Sequence, residues 1–352
     1  MKPAPIPTPP KSKPLLAVLG GETLTPPPIW LMRQAGRYLP EYRATRAKAP
    51  NFLSVCFNPD LASEITLQPI KRFGFDAAIL FSDILVIPHA LGRSVEFREG
   101  EGPVLDPLES PRGLPSLSEE ESMVPLAPVF ETLRRVKSAL PADTTLIGFA
   151  GAPWTVATYM VEGGTSRDFS RVKSWALGDP DGFQVLIDRL VDATTAYLIR
   201  QIDAGAEVLQ LFDSWAGVLP APAFERWCVA PVREIVRRLK KLRPSVPIIG
   251  FPRGAGLGYQ GFASATDVDC LGLDSMVPLH WAAQVLQPQA AVQGNLDPIQ
   301  LLAGGENLKT EVRRIVGALG HGPFIFNLGH GILPKTPIAH VEDLVATVRS
   351  RS

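Results

Sequence analysis

Short apolar runs recur along the chain, and each is followed within a few positions by polar residues or glycine. The runs are continuously apolar, a pattern typical of parallel strands that are covered on both faces. The eight candidate strands are residues 29–32, 76–83, 145–151, 207–214, 246–251, 270–274, 290–293 and 324–327. This series predicts a parallel sheet buried at the centre of the protein.

Segments with helical periodicity separate most of these runs. The clearest is 178–204, in which Leu186, Leu190, Ala193 and Tyr197 recur at spacings of four, three and four. The other predicted helical segments are 15–19, 58–74, 126–140, 222–242, 306–319 and 338–348. Residues 92–125 are rich in glycine, proline, glutamate and serine, and we interpret them as an excursion from the main fold.

Eight strand–helix units in one chain predict a single-domain (β/α)8 TIM barrel over residues 15–352. A doubly wound open sheet is the alternative, because periodicity does not reveal whether a sheet closes. The first fourteen residues are proline-rich and are predicted to be a disordered tail.

Polar or small residues follow nearly every predicted strand. They are Arg33; Ser82 and Asp83; Gly151; Asp213 and Ser214; Arg253 and Gly254; Asp274 and Ser275; Gly294 and Asn295; and Asn327 and His330. The carboxyl ends of barrel strands meet at one mouth, where active sites are built. The sequence therefore predicts a polar functional face over an apolar core.

Composition narrows the possible partners. With 35 basic and 35 acidic residues the net charge is zero, which argues against a nucleic-acid or membrane-surface protein. No apolar run reaches the roughly eighteen residues of a membrane helix, and the first residues do not resemble a secretory signal. Three scattered cysteines favour a reducing compartment, so we expect a cytoplasmic protein.

The segment 28–43 carries the strongest chemical signal. It begins as an apolar run and then presents Arg33 and Arg37 on either side of Gly36. Guanidinium groups bind carboxylates or phosphates through two parallel hydrogen bonds. A positive φ at Gly36 would also let nearby backbone N–H groups face an anion. The structural alternative is an arginine pair bound to the chain's own carbonyl groups.

Four further side chains are candidates for a site at the mouth. Asp83 is an acid between apolar residues, which suits either a helix cap or a fixed anion in a pocket. His330 lies between two glycines just beyond a strand, where a ligand can approach the backbone. Tyr159 and Ser214 have ordinary structural explanations, namely core packing and a turn cap.

Motifs of other chemistries are missing from the sequence. There is no HExxH, CxxC or close cysteine–histidine cluster that would indicate a metal site. Residues 254–259 depart from GxGxxG at the last position, and no Walker lysine motif occurs. These observations argue against a nucleotide-dependent enzyme.

Several blocks of the sequence resemble, in order, those of the uroporphyrinogen decarboxylase family. The blocks are 33–43, 81–88, 154–164, 212–217 and 327–331, and the resemblance extends over nearly the whole chain from about residue 15. The resemblance implies a (β/α)8 barrel that works as a homodimer. It also implies a cleft at the strand ends and an enzyme that needs no cofactor or metal.

The same resemblance implies the substrate and its contacts. The substrate would be uroporphyrinogen III, whose acetate side chains lose carbon dioxide to give coproporphyrinogen III. By the matching motifs, the substrate-binding positions would be Arg33, Gln34, Ala35, Gly36, Arg37, Asp83, Tyr159, Ser214 and His330. Asp213 and Trp215 lie where family members vary and receive no role.

The implied chemistry agrees with the residues. Protonation of a pyrrole carbon would create an electron sink within the substrate itself. We expect Asp83 to stabilise the resulting cationic ring, and Arg33 and Arg37 to bind and orient carboxylates. Two rivals are a zinc- or cobamide-dependent methyltransferase on a related barrel and a non-catalytic porphyrinogen carrier.

Overall fold

The computed structural model describes residues 13–98 and 100–350. Its nine strands are β1 Ala77–Ile79, β2 Val95–Arg98, β3 Gly102–Leu105, β4 Thr145–Gly151, β5 Val208–Asp213, β6 Ile248–Pro252, β7 Cys270–Gly272, β8 Ala291–Leu296 and β9 Phe324–Leu328. Seven of them form one parallel sheet in the order β1-β4-β5-β6-β7-β8-β9. The order never reverses, so the doubly wound alternative is wrong: that fold needs a reversal point.

Helices connect the strands and cover the sheet. They are α1 Pro14–Leu19, α2 Pro40–Arg46, α3 Phe52–Cys56, α4 Pro59–Phe73, α5 Val86–Ala90, α6 Glu119–Met123, α7 Ala127–Ala139, α8 Pro153–Glu162, α9 Ser170–Gly178, α10 Pro180–Asp203, α11 Ala221–Phe224, α12 Ala230–Leu242, α13 Phe262–Thr266, α14 Leu279–Trp281, α15 Pro298–Ala303, α16 Gly305–Leu319 and α17 Ile338–Arg349. Within the described ranges, no helix is long and apolar enough to cross a bilayer.

The predicted helix boundaries are confirmed where capping residues mark them. The Asn58 side chain accepts hydrogen bonds from the first backbone N–H groups of α4, and Gly74 ends the helix at a φ of 63°. Helix α1 begins at Pro14, so the last two residues of the predicted tail belong to the folded part. Lys13 there donates to the Glu207 carboxylate over 2.8 Å. The remainder of the tail lies outside the described residues.

The first predicted strand, 29–32, is a single bridge residue. Ile29 pairs with Phe326 of β9, and the Phe326 N–H donates to the Pro28 carbonyl over 2.9 Å. On the other side, the Asp76 N–H donates to the Ile29 carbonyl over 2.9 Å. A longer ladder does not form because the preceding prolines have no N–H, and because the chain already turns at Leu31, whose carbonyl accepts from the Gln34 N–H.

A chain of buried polar side chains shows that the sheet is strongly curled. Trp30 donates to Gln293 of β8 over 2.8 Å, and Gln293 donates to Gln210 of β5 over 3.2 Å. Strands β6 and β7 lie between β5 and β8, and a flat sheet would separate these two strands by about 14 Å. The side chains therefore meet inside the curve.

The excursion 92–125 contains structure that its composition did not predict. Strands β2 and β3 form an antiparallel hairpin, with Val95 opposite Leu105. A bridge between Val104 and Gly164 attaches this hairpin to the segment that follows α8. The three glutamates 119–121 form the exposed first turn of α6, as expected for a solvated face.

Replacing Asp76 with alanine is expected to lower the free energy of unfolding by about 1–3 kcal/mol. The carboxylate accepts from the Ile29 N–H over 2.7 Å, and its loss leaves that donor unpaired. The partly exposed ion pair with Arg349, at 3.6 Å, adds little. Urea denaturation measures the change. The matched control is Asp143→Ala at an exposed position, and equal midpoints for the two variants would contradict this account.

Candidate active site

Arg33 projects from a strained turn at the carboxyl edge of the sheet. It is exposed, and its φ of 61° lies in the left-handed region, which costs a residue with a side chain about 1–2 kcal/mol. The Asn327 side chain fixes the turn by accepting from the Met32 N–H over 2.9 Å. Strain of this kind is frequent at functional sites, because surrounding contacts must hold it.

The glycines around Arg33 allow close packing. The positive φ expected at Gly36 occurs instead at Arg33. Gly36 is needed for a different reason, because a Cβ there would lie 2.9 Å from the Arg33 carbonyl oxygen. Gly331 matters in the same way, since a Cβ on it would overlap the Arg33 side chain. The loop carrying His330 therefore lies directly against Arg33.

Gln34 and Arg37 differ from Arg33 in their surroundings. The Gln34 side chain is fully buried; it accepts from the Leu31 N–H over 3.1 Å and donates to the Ala77 carbonyl over 3.0 Å. Its side chain thus shapes the turn and faces away from solvent. Arg37 is exposed, and its charge acts on the pKa of Tyr42, whereas Arg33 is the arginine that acts on the pKa of Asp83.

Asp83 lies beyond β1 with its carboxyl group enclosed. The residue is half-buried, and one carboxylate oxygen accepts from the Leu85 N–H over 2.9 Å. Burial raises the pKa of Asp83 to about 6, although the Leu85 hydrogen bond and the charge of Arg33 both oppose the rise. Among the described residues Asp83 forms no ion pair. It is an anion at neutral pH, held in place but not neutralised.

His330 and Tyr159 share this environment. Burial, together with the charges of Arg33 and Arg253, lowers the pKa of His330 to about 3. The imidazole is therefore neutral at pH 7. Burial raises the pKa of Tyr159, which responds to the charges of Asp83, Arg33 and Arg253 as well. Arg33, Asp83, Tyr159, Arg253 and His330 thus come from five separate parts of the chain and are close enough to act on one another's pKa values.

Ser214 follows β5 on the same edge. A buried hydrogen-bond chain supports it, because Thr155 donates to the Asp213 carboxylate over 2.6 Å and accepts from the Trp215 N–H over 3.1 Å. The Trp215 ring lies 6.1 Å from that of Tyr159, measured between ring centroids. Burial raises the pKa of Asp213 to about 6.

Arg253 is the residue that our sequence-based site omitted. It was noted as a strand end, but no motif singled it out, because only the register of neighbouring strands brings it to the other polar groups. Its backbone N–H donates to the Asp213 carbonyl over 3.1 Å, and its carbonyl accepts from the Gly217 N–H over 3.0 Å. The next residue, Gly254, donates to Asp274 over 2.7 Å.

The residues described by the structure contain no group of three or more histidine, cysteine or acidic side chains placed to hold a metal ion. The three cysteines are free and buried, and burial raises their pKa values well above the ordinary range. Two surface cavities, of about 700 Å³ and about 610 Å³, are lined by other residues than the predicted site. Among the described residues, Arg33, Asp83 and Arg253 of the polar cluster at the strand ends form no ion pair.

This fold and site define an α/β protein with a cluster of polar and charged side chains at the carboxyl edge of a curled parallel sheet. A family model described as uroporphyrinogen decarboxylase matches residues 10–351. A uroporphyrinogen decarboxylase of Rhodospirillum rubrum is 59% identical over 338 residues, covering 96% of this chain and 97% of that protein. One of Mesorhizobium japonicum is 58% identical over 341 residues, covering 97% and 99% respectively. The chain belongs to the uroporphyrinogen decarboxylase family, which confirms the expected family and its carboxy-lyase activity.

Solved structures support the fold. A methyltransferase from Methanosarcina mazei superposes with a TM-score of 0.77 at 20% identity, covering 95% of this chain and 96% of that one. A B12-independent methionine synthase from Shewanella superposes with a TM-score of 0.55 at 10% identity, covering 82% and 85%. At such identities the likeness concerns the fold alone. The far higher identity to decarboxylases decides against the methyltransferase alternative.

Replacing Asp83 with asparagine is expected to stabilise the protein at neutral pH. A carboxyl group whose pKa rises to about 6 on folding destabilises the fold above that pH, by up to about 3 kcal/mol. The penalty shrinks as the pH falls from about 6 and is small at pH 4, where the group is protonated in the folded protein and about half protonated in the unfolded one. Asparagine keeps the acceptor for Leu85.

Thermal unfolding of wild type and Asp83→Asn across pH 4 to 8 measures this difference. We expect the melting temperatures to agree at pH 4 and the variant to melt several degrees higher at pH 7.5. A variant that is less stable at every pH would show that the carboxylate is a structural group.

Proposed function

We propose that the protein removes carbon dioxide from the acetate side chains of uroporphyrinogen III at this mouth, with Asp83 as the central group. The observation that carries the proposal is the enclosed Asp83 carboxylate, which has one hydrogen bond and no ion pair. Such an anion suits a partner that brings N–H donors and develops positive charge. A pyrrole ring protonated at carbon is a partner of this kind.

The arginines are proposed to bind the substrate's carboxylates. Arg33 is exposed and close enough to Asp83 to affect its pKa, so a macrocycle over Asp83 would present a side chain to the guanidinium. We keep Arg37 as a second carboxylate-binding residue at the outer part of the mouth. Neutral His330, Tyr159 and Ser214 supply further hydrogen bonds. Gln34, Ala35 and Gly36 would contribute through the backbone of the Arg33 turn.

We further propose that residues 28–31 complete an eight-stranded barrel as a reduced first strand. The support is the pair of contacts that place Ile29 between Phe326 of β9 and Asp76, which precedes β1. The buried Trp30 side chain then fills the interior beside Gln293. Closure would place the Arg33 turn beside the other strand ends.

The direct test is anaerobic incubation of the purified protein with uroporphyrinogen III, without additives, followed by mass spectrometry. Successive losses of carbon dioxide are expected, ending at the tetracarboxylate product. An unchanged substrate mass would favour the carrier alternative.

Asp83→Asn is expected to lower kcat/KM by two or more orders of magnitude, because the developing cation loses its counter-charge. Near-normal turnover in this variant would remove the proposed role of Asp83.

The pH dependence of kcat/KM tests whether the Asp83 carboxylate is the anion that the reaction needs. We expect kcat/KM to fall below about pH 6, because protonation of Asp83 in the free enzyme removes the charge that the cationic ring needs. Asp213 has a similar pKa, so Asp213→Asn is the control and should keep this acid limb. The residual activity of Asp83→Asn should lack it. A limb that persists in Asp83→Asn would belong to the substrate or to another residue.

A homodimer is proposed for the assembled enzyme, with the mouth side as its interface. Leu257 follows β6 and Met276 follows β7, and they are 82% and 87% exposed. They are the two most exposed large apolar side chains among the described residues, and we propose that they form part of the contact surface. The double variant Leu257→Glu with Met276→Glu should sediment as a monomer. Leu177→Glu, at a position that is 78% exposed on α9, is the control, and a dimer in both would refute the interface.

The scattered buried thiols fit a reducing compartment, and on that basis we propose a cytoplasmic location.

A further inference from the structure

Arg253 has the placement of a ligand-binding residue. It directly follows β6, between the ends of β5 and β7, on the edge that also carries Ser214. The residue is half-buried, so its side chain is partly exposed to solvent. Its N–H donates to the carbonyl of Asp213, the residue before Ser214, which fixes its place at this edge. In agreement, its charge acts on the pKa values of His330, Tyr159 and Tyr259.

The backbone at Arg253 is held from three directions. Its N–H donates to the carbonyl of Asp213, the residue before Ser214, and its carbonyl accepts from Gly217. A Cβ on Gly217 would overlap the backbone of Gly254, so the two turns are in close contact. The Gly254 N–H donates to the Asp274 carboxylate over 2.7 Å. These are main-chain contacts, and they leave the guanidinium group itself uncommitted.

The obvious structural role for Arg253 would be to neutralise Asp274, and the contacts of Asp274 argue against it. One of its carboxylate oxygens accepts from the Gly254 N–H and from the Tyr259 hydroxyl over 3.0 Å. The other accepts from the Met276 N–H over 2.9 Å. The buried carboxylate is thus satisfied without a cation. Within 13–98 and 100–350, Arg253 makes no ion pair and no side-chain hydrogen bond.

We propose that Arg253 is a further substrate-binding residue, which pairs with a carboxylate of the tetrapyrrole on the side of the mouth formed by β5 and β6. The inference rests on the proposed function for the identity of the ligand, and on the geometry above for the binding group. Arg33 and Arg253 lie at the ends of different strands. The charges of both arginines lower the pKa of His330. A macrocycle with carboxylates around its rim would bind both guanidiniums at once.

The test compares Arg253→Met, which removes the charge at similar length, with Arg253→Lys, which keeps it. A lost charge-assisted hydrogen bond should raise KM for uroporphyrinogen III by roughly 10- to 100-fold in the methionine variant, with a smaller change in kcat. The lysine variant should recover most of the affinity. Arg134→Met on the outer helix α7 removes an equal charge and is the control, since its partner Glu131 keeps Arg135.

Binding is also measured without turnover, by quenching of the fluorescence of uroporphyrin III, the oxidised octacarboxylate. This titration separates the two proposals. If the wild type fails to decarboxylate but Arg253→Met still weakens uroporphyrin binding, the proposed function is wrong and the carboxylate site stands. If wild type and Arg253→Met bind uroporphyrin equally, the Arg253 site is wrong. Equal losses in both Arg253 variants, with lower unfolding midpoints, would instead assign Arg253 a structural role and overturn the inference.

Discussion

The position of the Arg33 turn depends on the hydrogen bonds that hold Ile29 and its neighbours between β9 and Asp76. They anchor the chain just before Arg33, beside the edge strand β9 and the residue that precedes β1. Asn327 then fixes the following residue through the Met32 N–H. This anchorage adds to the local hydrogen bonds between Leu31 and Gln34 in holding the left-handed turn at Arg33. Long-range backbone contacts therefore position the cation.

Electrostatics at the mouth follows from incomplete pairing. Most carboxylates on the surface have arginine or lysine partners, as in the bidentate pair between Arg72 and Glu41. Asp83, Arg33 and Arg253 are different, since each is placed by backbone contacts and none is neutralised by a neighbour. The raised pKa of Asp83 measures the cost of this arrangement to the folded state. A ligand with carboxylates at its rim and N–H groups at its centre would pair with the two arginines and with Asp83.

Local signals in the sequence were sufficient for elements with their own caps or periodicity. Helix α4 begins and ends at the predicted Asn58 and Gly74, and β4 has the predicted bounds Thr145–Gly151. The hairpin β2–β3 was not predicted, because β3 begins with Gly102 and Pro103 inside a segment rich in glycine and proline, and because a bridge to distant Gly164 holds it. At Gly36 the sequence shows that a positive φ is possible, but only the structure shows that the missing side chain avoids the Arg33 carbonyl oxygen.

The sequence by itself determined the family, the parallel strand–helix order and most of the polar residues, since these depend on local pattern and on matching motifs. Tertiary structure decided which polar groups meet. It directed the Gln34 side chain inward, and it brought the charge of Arg33, and not that of Arg37, close enough to act on the pKa of Asp83. It also brought Arg253 to the strand end beside Asp213. The physical reason is that strand register and loop packing, which join residues far apart in the chain, set where each strand end points.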